Sequence, residues 1–160
     1  MSLSPPPAPC IELRLLDPRL TGWGGPAYQT AGAAALDLHA CIDAPLTLEA
    51  GADAVLVGSG LALHMADPHL AALVLPRSGL GHRAGLVLGN GVGLIDADYT
   101  DEIRVSLWNR NPPGGASVTI APGDRIAQLM FVPVLRPEFR LVTAFSQPTG
   151  RSGGFGSTGI

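Results

Sequence analysis

At 160 residues the chain is long enough for one domain with a real core. Hydrophobic residues make up 46% and charged residues only 14%, which excludes a disordered chain and a solvated helical one. The net charge of −3 comes without a basic stretch, arguing against nucleic-acid binding, and the basic residues are ten arginines with no lysine, which excludes a Walker-type lysine and Schiff-base chemistry.

The chain opens on "MSLSPPPAPC", a stiff extended arm over 1–10 that lacks the apolar h-region of a signal peptide. No apolar run approaches membrane length, so a cytoplasmic protein without membrane contact is expected. Cys10 and Cys41 stand apart, without metal-ligand spacing, and read as thiols in a reducing compartment. Beyond the arm, 21 glycines and 15 prolines leave no room for long helices. Short apolar runs lie between the breaks, at 11–15, 36–42, 54–57, 61–65, 71–75, 103–108, 117–120, 126–134 and 139–142. Strands at this spacing predict an all-β fold: a β-sandwich, a jelly roll or a barrel. "AGAAALDLHA" has the alanine content of a helix, but Gly32 and the alternation of Leu36, Leu38 and Ala40 favour a strand. One helical turn is predicted at "ADPHLAA", with Asp67 as N-cap and Pro68 as first helical residue. The last stretch, 146–160, reads as a flexible tail after a β core over 11–145. A mean hydropathy of +0.29 predicts apolar surface covered by a partner chain.

Several segments carry residues suited to chemistry. "PRSGLG" (76–81) follows a strand and offers an arginine, a hydroxyl and glycine-freed N–H groups to an anion, although a plain strand-to-turn signal explains it too. "GNGVGLIDADY" (89–99) puts Asp96, Asp98 and Tyr99 where a turn needs only one small polar residue. It is not a dinucleotide fingerprint, because no helix follows the glycines. "DADYTDE" is not a calcium loop, since its sixth position is Asp101. In "GDRIAQL" (123–129), Arg125 and Gln128 alone are an ordinary ion-pair former and an inward amide. "RSGGFG" (151–156) lacks the strand–helix context of a P-loop. The four histidines show no metal-binding spacing.

In chain order, "AALDLHA", "PRSGLG", "GNGVGLIDADY…WN", "GDRIAQL" and "RSGGFGSTG" resemble the five motifs of the trimeric deoxyuridine triphosphate nucleotidohydrolases (dUTPases), bacterial ones most closely. The resemblance runs from about Ile11 to the C-terminus. It implies a jelly-roll-like β-sandwich or distorted barrel with at most one short helix, forming a homotrimer whose active sites are shared between subunits. The implied reaction is Mg²⁺-dependent hydrolysis of dUTP to dUMP and pyrophosphate by water attack at the α-phosphorus. It would keep uracil out of DNA and supply dUMP for thymidylate synthesis.

The resemblance also assigns residues. Asp96 would be the general base, while Arg77, Ser78, Gly79 and Gln128 would hold the phosphates. Asp37 would either support the metal-water shell or orient an arginine. Mg²⁺ would be held through phosphates and water, with no direct protein ligand. Two apolar runs around "NGVGLIDADY" would make a hairpin whose backbone at Gly93, Leu94 and Ile95 copies a base-pairing edge for uracil, joined by the Asn90 side chain. Tyr99 would pack on the deoxyribose where a 2′-hydroxyl would project. From the tail, Phe155 would stack over uracil, and Arg151, Ser152 and Gly153 would grip the terminal phosphate.

Three features depart from the family pattern: Asp101 and Ala35 where glycine is usual, and a longer, proline-rich loop in "NRNPPGGAS". Asp101 would add negative charge near a polyanion's pocket. The deoxycytidine triphosphate deaminases share the implied fold but use a glutamate where this chain has Ser106, which excludes deamination. A non-catalytic sandwich has no need of Asp96, Tyr99, Gln128 and Arg151 together.

Overall fold

The computed structural model describes residues 9–147. The described residues form ten strands: β1 Glu12–Leu15, β2 Leu36–His39, β3 Leu46–Leu48, β4 Val55–His64, β5 Leu70–Leu75, β6 Leu86–Leu88, β7 Gly93–Ile95, β8 Glu102–Asn109, β9 Val118–Ile120 and β10 Arg125–Pro133. Two four-stranded antiparallel sheets, ordered β1-β4-β8-β6 and β2-β10-β5-β7, enclose a shared hydrophobic cluster, and β3 pairs with β9 beside them. Alternation explains the packing. In β8 the side chains of Ile103, Val105, Leu107 and Asn109 are buried while Arg104 and Trp108 face outward. Leu38 of β2, Val74 of β5 and Leu129 of β10 meet them from the other sheet. The all-β architecture expected from the sequence is the one observed. Among the described residues, no helix is long and apolar enough to cross a membrane.

The differences are local and have causes. The runs 54–57 and 61–65 form one strand, β4, although "GSG" between them reads as a turn. The ladder to β8 shifts register between Gly58 and Ala62, and the bulge is satisfied from β8's side. Ser59 donates its hydroxyl to the Ile103 carbonyl at 2.6 Å, and Gly60 N–H donates to the Glu102 carboxylate at 2.9 Å. Gly60 sits at φ +67°, where a Cβ would also strike Cys41 and Asp17, so no other residue fits. Burial lifts the Cys41 thiol to about 12, with Asp17 adding to the shift, which leaves it a packing residue.

The helical turn predicted at Asp67 is a β-turn: Leu70 N–H bonds the Asp67 carbonyl at 3.0 Å and the chain enters β5 at once. Asp67 does cap it, accepting from His69 N–H at 2.9 Å. Among the described residues the one α-helical turn, α1 Arg19–Gly22, follows the other Asp-Pro pair, Asp17-Pro18, where Leu20 is buried and Asp17 accepts from Arg19 N–H. A five-residue π-helical turn, Leu80–Ala84, precedes β6. The strand expected at 139–142 does not form. Phe139 is 91% and Leu141 100% exposed, and no strand of the described chain pairs with them.

Candidate active site

The end of β5 builds an anion cradle. Pro76 stops the ladder after Leu75, and Arg77, Ser78 and Gly79 lead into the π-helical turn, with Gly81 N–H bonded to the Arg77 carbonyl at 2.9 Å. Register supplies the rest: β10 sets Gln128 opposite Leu75 on one side and opposite Asp37 of β2 on the other. Gln128 Nε2 donates to the Pro76 carbonyl at 2.9 Å, fixing the amide against the loop. Asp37, Arg77, Ser78, Gly79, Arg83 and Gln128 thereby line one pocket of about 250 Å³. Asp37 spends its two oxygens on two guanidiniums: Oδ1 lies 3.1 Å from Arg77 Nε and Oδ2 3.2 Å from Arg125 Nη1. Of the two roles open to it, orienting arginines is the one the contacts describe. Arg77 and Arg83 against the single carboxylate of Asp37 leave the pocket positive, and exposed Ser78 stands beside them.

The acid turn lies elsewhere on the same strand. β7 pairs with β5 through Gly93↔Val74, Leu94↔Leu73 and Ile95↔Ala72, and its other edge is unpaired among the described residues. Gly93 permits the approach, since a Cβ there would come within 3.0 Å of Val74 Cβ. The apolar runs on either side of "NGVGLIDADY", β6 and β8, pair antiparallel as expected, while β7 between them pairs with β5 in the opposite sheet, the chain crossing between sheets at Asn90 and Gly91. Gly91 takes φ +74°, and the exposed Asn90 side chain stands at the crossing. Leu94 is 64% exposed. Asp96 and Asp98 are exposed without ion-pair partners among the described residues, and both line a pocket of about 590 Å³ with His64, Leu94 and Arg136. Tyr99 closes the turn, its N–H on the Asp96 carbonyl and its hydroxyl donating to the Glu102 carbonyl at 2.9 Å.

One chain does not unite these groups. Ile95 pairs with Ala72, so Asp96 falls opposite Ala71, while Arg77 lies past the other end of β5. From 71 to 77 the chain spans roughly 20 Å at about 3.3 Å per residue. No residue lines both pockets. Asp101 lines neither pocket but a third, with Glu12, Arg14 and His64. Arg151, Ser152, Gly153 and Phe155 lie outside the described residues.

Sequence reading missed two contributors. Arg83 lines the cradle; as the next cation after Arg77 in a lysine-free chain, it carried a signal. The loop after β8 braces the turn that bears the cradle. Arg110 Nη2 bonds the Gly81 carbonyl at 2.9 Å, Arg110 N–H bonds that of Gly85 at 3.0 Å, and Asn111 Nδ2 bonds that of Ala84 at 3.1 Å. Buried Asn109 anchors the loop through the Leu48 and Ala116 carbonyls.

Comparison with known proteins gives the family and the fold. The dUTPase family profile matches residues 22–159. A deoxyuridine 5′-triphosphate nucleotidohydrolase of Xanthomonas euvesicatoria is 51% identical over 156 residues, 97% of this chain and 98% of that one. One from Burkholderia multivorans is 54% identical over 149 residues, covering 93% and 97%. Among solved structures, a Staphylococcus bacteriophage 80alpha dUTPase with dUpNHpp superposes at a TM-score of 0.82 with 22% identity, covering 96% of this chain and all of that one. A dUTPase from phage phi11 of S. aureus, described with a structural Mg(II) ion, gives 0.74 at 21% identity over 86% and 99%.

Proposed function

The chain belongs to the dUTPase family, and its activity is that of a dUTP nucleotidohydrolase; from that premise we propose how its residues divide the reaction. Arg77, Ser78, Gly79 and Gln128 hold the phosphate chain, with Asp37 fixing Arg77 and Arg125 for the purpose. Asp96 takes a proton from a water whose oxygen attacks the α-phosphorus. The bond from that phosphorus to the bridging oxygen breaks, and pyrophosphate leaves with the electron pair. Gly93, Leu94 and Ile95 present the open backbone edge of β7 to uracil, Asn90 adds its amide, and the Tyr99 ring lies against the deoxyribose. Arg151, Ser152, Gly153 and Phe155 close over the ligand from the tail, gripping the terminal phosphate and stacking on the base.

The lateral alignment of Asp37, Gln128 and Leu75 carries this reading, because it gathers the Asp37-held Arg77 guanidinium, the Gln128 amide and the Ser78 hydroxyl around one pocket. The separation along β5 supports a second part of it. A base roughly 20 Å from its own cradle cannot reach a phosphorus held there, so Asp96 of one subunit serves the cradle of another in a homotrimer. Exposed Leu135, Phe139 and Leu141 agree with chains that complete one another. The pocket also suits Mg²⁺ held by substrate oxygens and water. Its one carboxylate is already given to arginines, and the described residues contain no cluster of three metal-binding side chains. Bound there, the ion would neutralise phosphate charge.

Hydrolysis in ¹⁸O-labelled water tests the course. The label is expected in dUMP and not in pyrophosphate; label in pyrophosphate would move the attack away from the α-phosphorus.

A further inference from the structure

The cradle contains a cation that the motifs leave out. Arg83 stands on the π-helical turn, four residues beyond Gly79 and on the same face of the chain, in the pocket shared by Asp37, Arg77, Ser78 and Gln128. Its guanidinium folds back over the loop, with Nη2 only 2.9 Å from where a Cβ on Gly79 would lie. The absent side chain at position 79 is the space Arg83 occupies. Arg110 and Asn111 hold the carbonyls of this turn from behind, so the backbone that aims Arg83 is itself braced.

Charge pairing separates Arg83 from its neighbours. Arg77 and Arg125 share Asp37, whereas Arg83 has no carboxylate partner among the described residues. It therefore offers an uncommitted guanidinium to whatever fills the pocket. Arg77 comes from the strand end and Arg83 from the helical turn, an arrangement suited to a ligand bearing more than one phosphoryl group. The α-phosphoryl must lie toward the incoming Asp96. What remains in the cradle, away from that base, is the departing diphosphate.

We propose that Arg83 binds the β- and γ-phosphoryl groups of the substrate, and pyrophosphate after cleavage, without contacting the α-phosphoryl or the nucleoside. The proposal rests on reading residues 77–79 and Gln128 as the phosphate cradle. Its test is calorimetric titration of the whole protein, of Arg83→Ala and Arg83→Lys, and of Arg77→Ala as control. The probes are inorganic pyrophosphate, a non-hydrolysable dUTP analogue and dUMP, with Tm measured alongside. Arg83→Ala should weaken pyrophosphate and the analogue by about 10- to 100-fold, the worth of a hydrogen bond to a charged group. Its dUMP affinity and Tm should be unchanged, and Arg83→Lys should recover part of the loss. Equal weakening of dUMP, or a lowered Tm, would make Arg83 a structural residue and overturn the proposal. Unchanged pyrophosphate binding in Arg83→Ala, with loss in Arg77→Ala, would overturn it while leaving the cradle in place. Unchanged binding in both variants would remove the cradle with it.

Discussion

Asp37 and Asp96 are both carboxylates on strands of one sheet or just past them, and their surroundings divide their work. Asp37 is held between two guanidiniums, so its negative charge is committed to aiming Arg77 and Arg125. Asp96 is exposed and has no ion-pair partner among the described residues, which leaves its lone pairs free for the water of the proposed reaction. Asp96→Asn should therefore preserve the fold and nucleotide binding, since no contact supporting the turn passes through its carboxylate. Turnover should fall by about 10²- to 10⁴-fold, the usual worth of a positioned base. Single-turnover rates beside equilibrium binding would measure both, and a greater loss in Asp98→Asn would transfer the role to its neighbour. At this scale the sequence named most of the residues now seen around the cradle and the acid turn, because motif order survives without knowledge of contacts. It did not choose between Asp37's two roles or find Arg83. Both depend on which side chains a register or a π-helical turn brings face to face, and neither leaves a mark on local composition.

Among elements, the legible ones were long and alternating. β8 and β10 stand within a residue or so of the apolar runs that predict them. β3, β6 and β7, three residues each, are too short to show a period and exist because a neighbour offers a ladder. The two Asp-Pro pairs show why identical local signals diverge: buried Leu20 holds a helical turn after the first, and β5 draws the chain out after the second. The expected strand at 139–142 fails for lack of a partner within the described chain, not for lack of propensity. The turn from β7 to β8 is where an element bears on specificity. Tyr99 spans it from the Asp96 carbonyl to that of Glu102 and is 40% exposed beside the acids. Tyr99→Ala should narrow the preference for dUTP over UTP in kcat/KM by about tenfold, as a wall that excludes a hydroxyl is removed. Tyr99→Phe keeps the ring and should keep the preference. An unchanged ratio in the alanine variant would place sugar selection on other residues.

For the whole molecule, β5 sets the two parts of the proposed site apart, with residues 77–79 past one end and Asp96 near the other. On the proposed shared site, Asp96→Asn and Arg77→Ala chains should each be nearly inactive alone, yet regain activity when co-expressed and purified as mixed trimers. The intact cradle of one then meets the intact base of the other. Mixed trimers no better than their parents would show that each site is built within one chain. The span of β5 also reaches into heredity. In a trimer with the proposed shared sites, a chain harmed at one end takes one site out of service, so diluting intact chains with it lowers activity in proportion to the intact fraction. A chain harmed at both ends spoils two sites, its own cradle and the one its base would have served, and activity then falls as the square of that fraction. A cell carrying one sound and one doubly damaged gene copy would thus be poorer than a cell whose second copy is silent, a dominant-negative effect written in the length of a single strand.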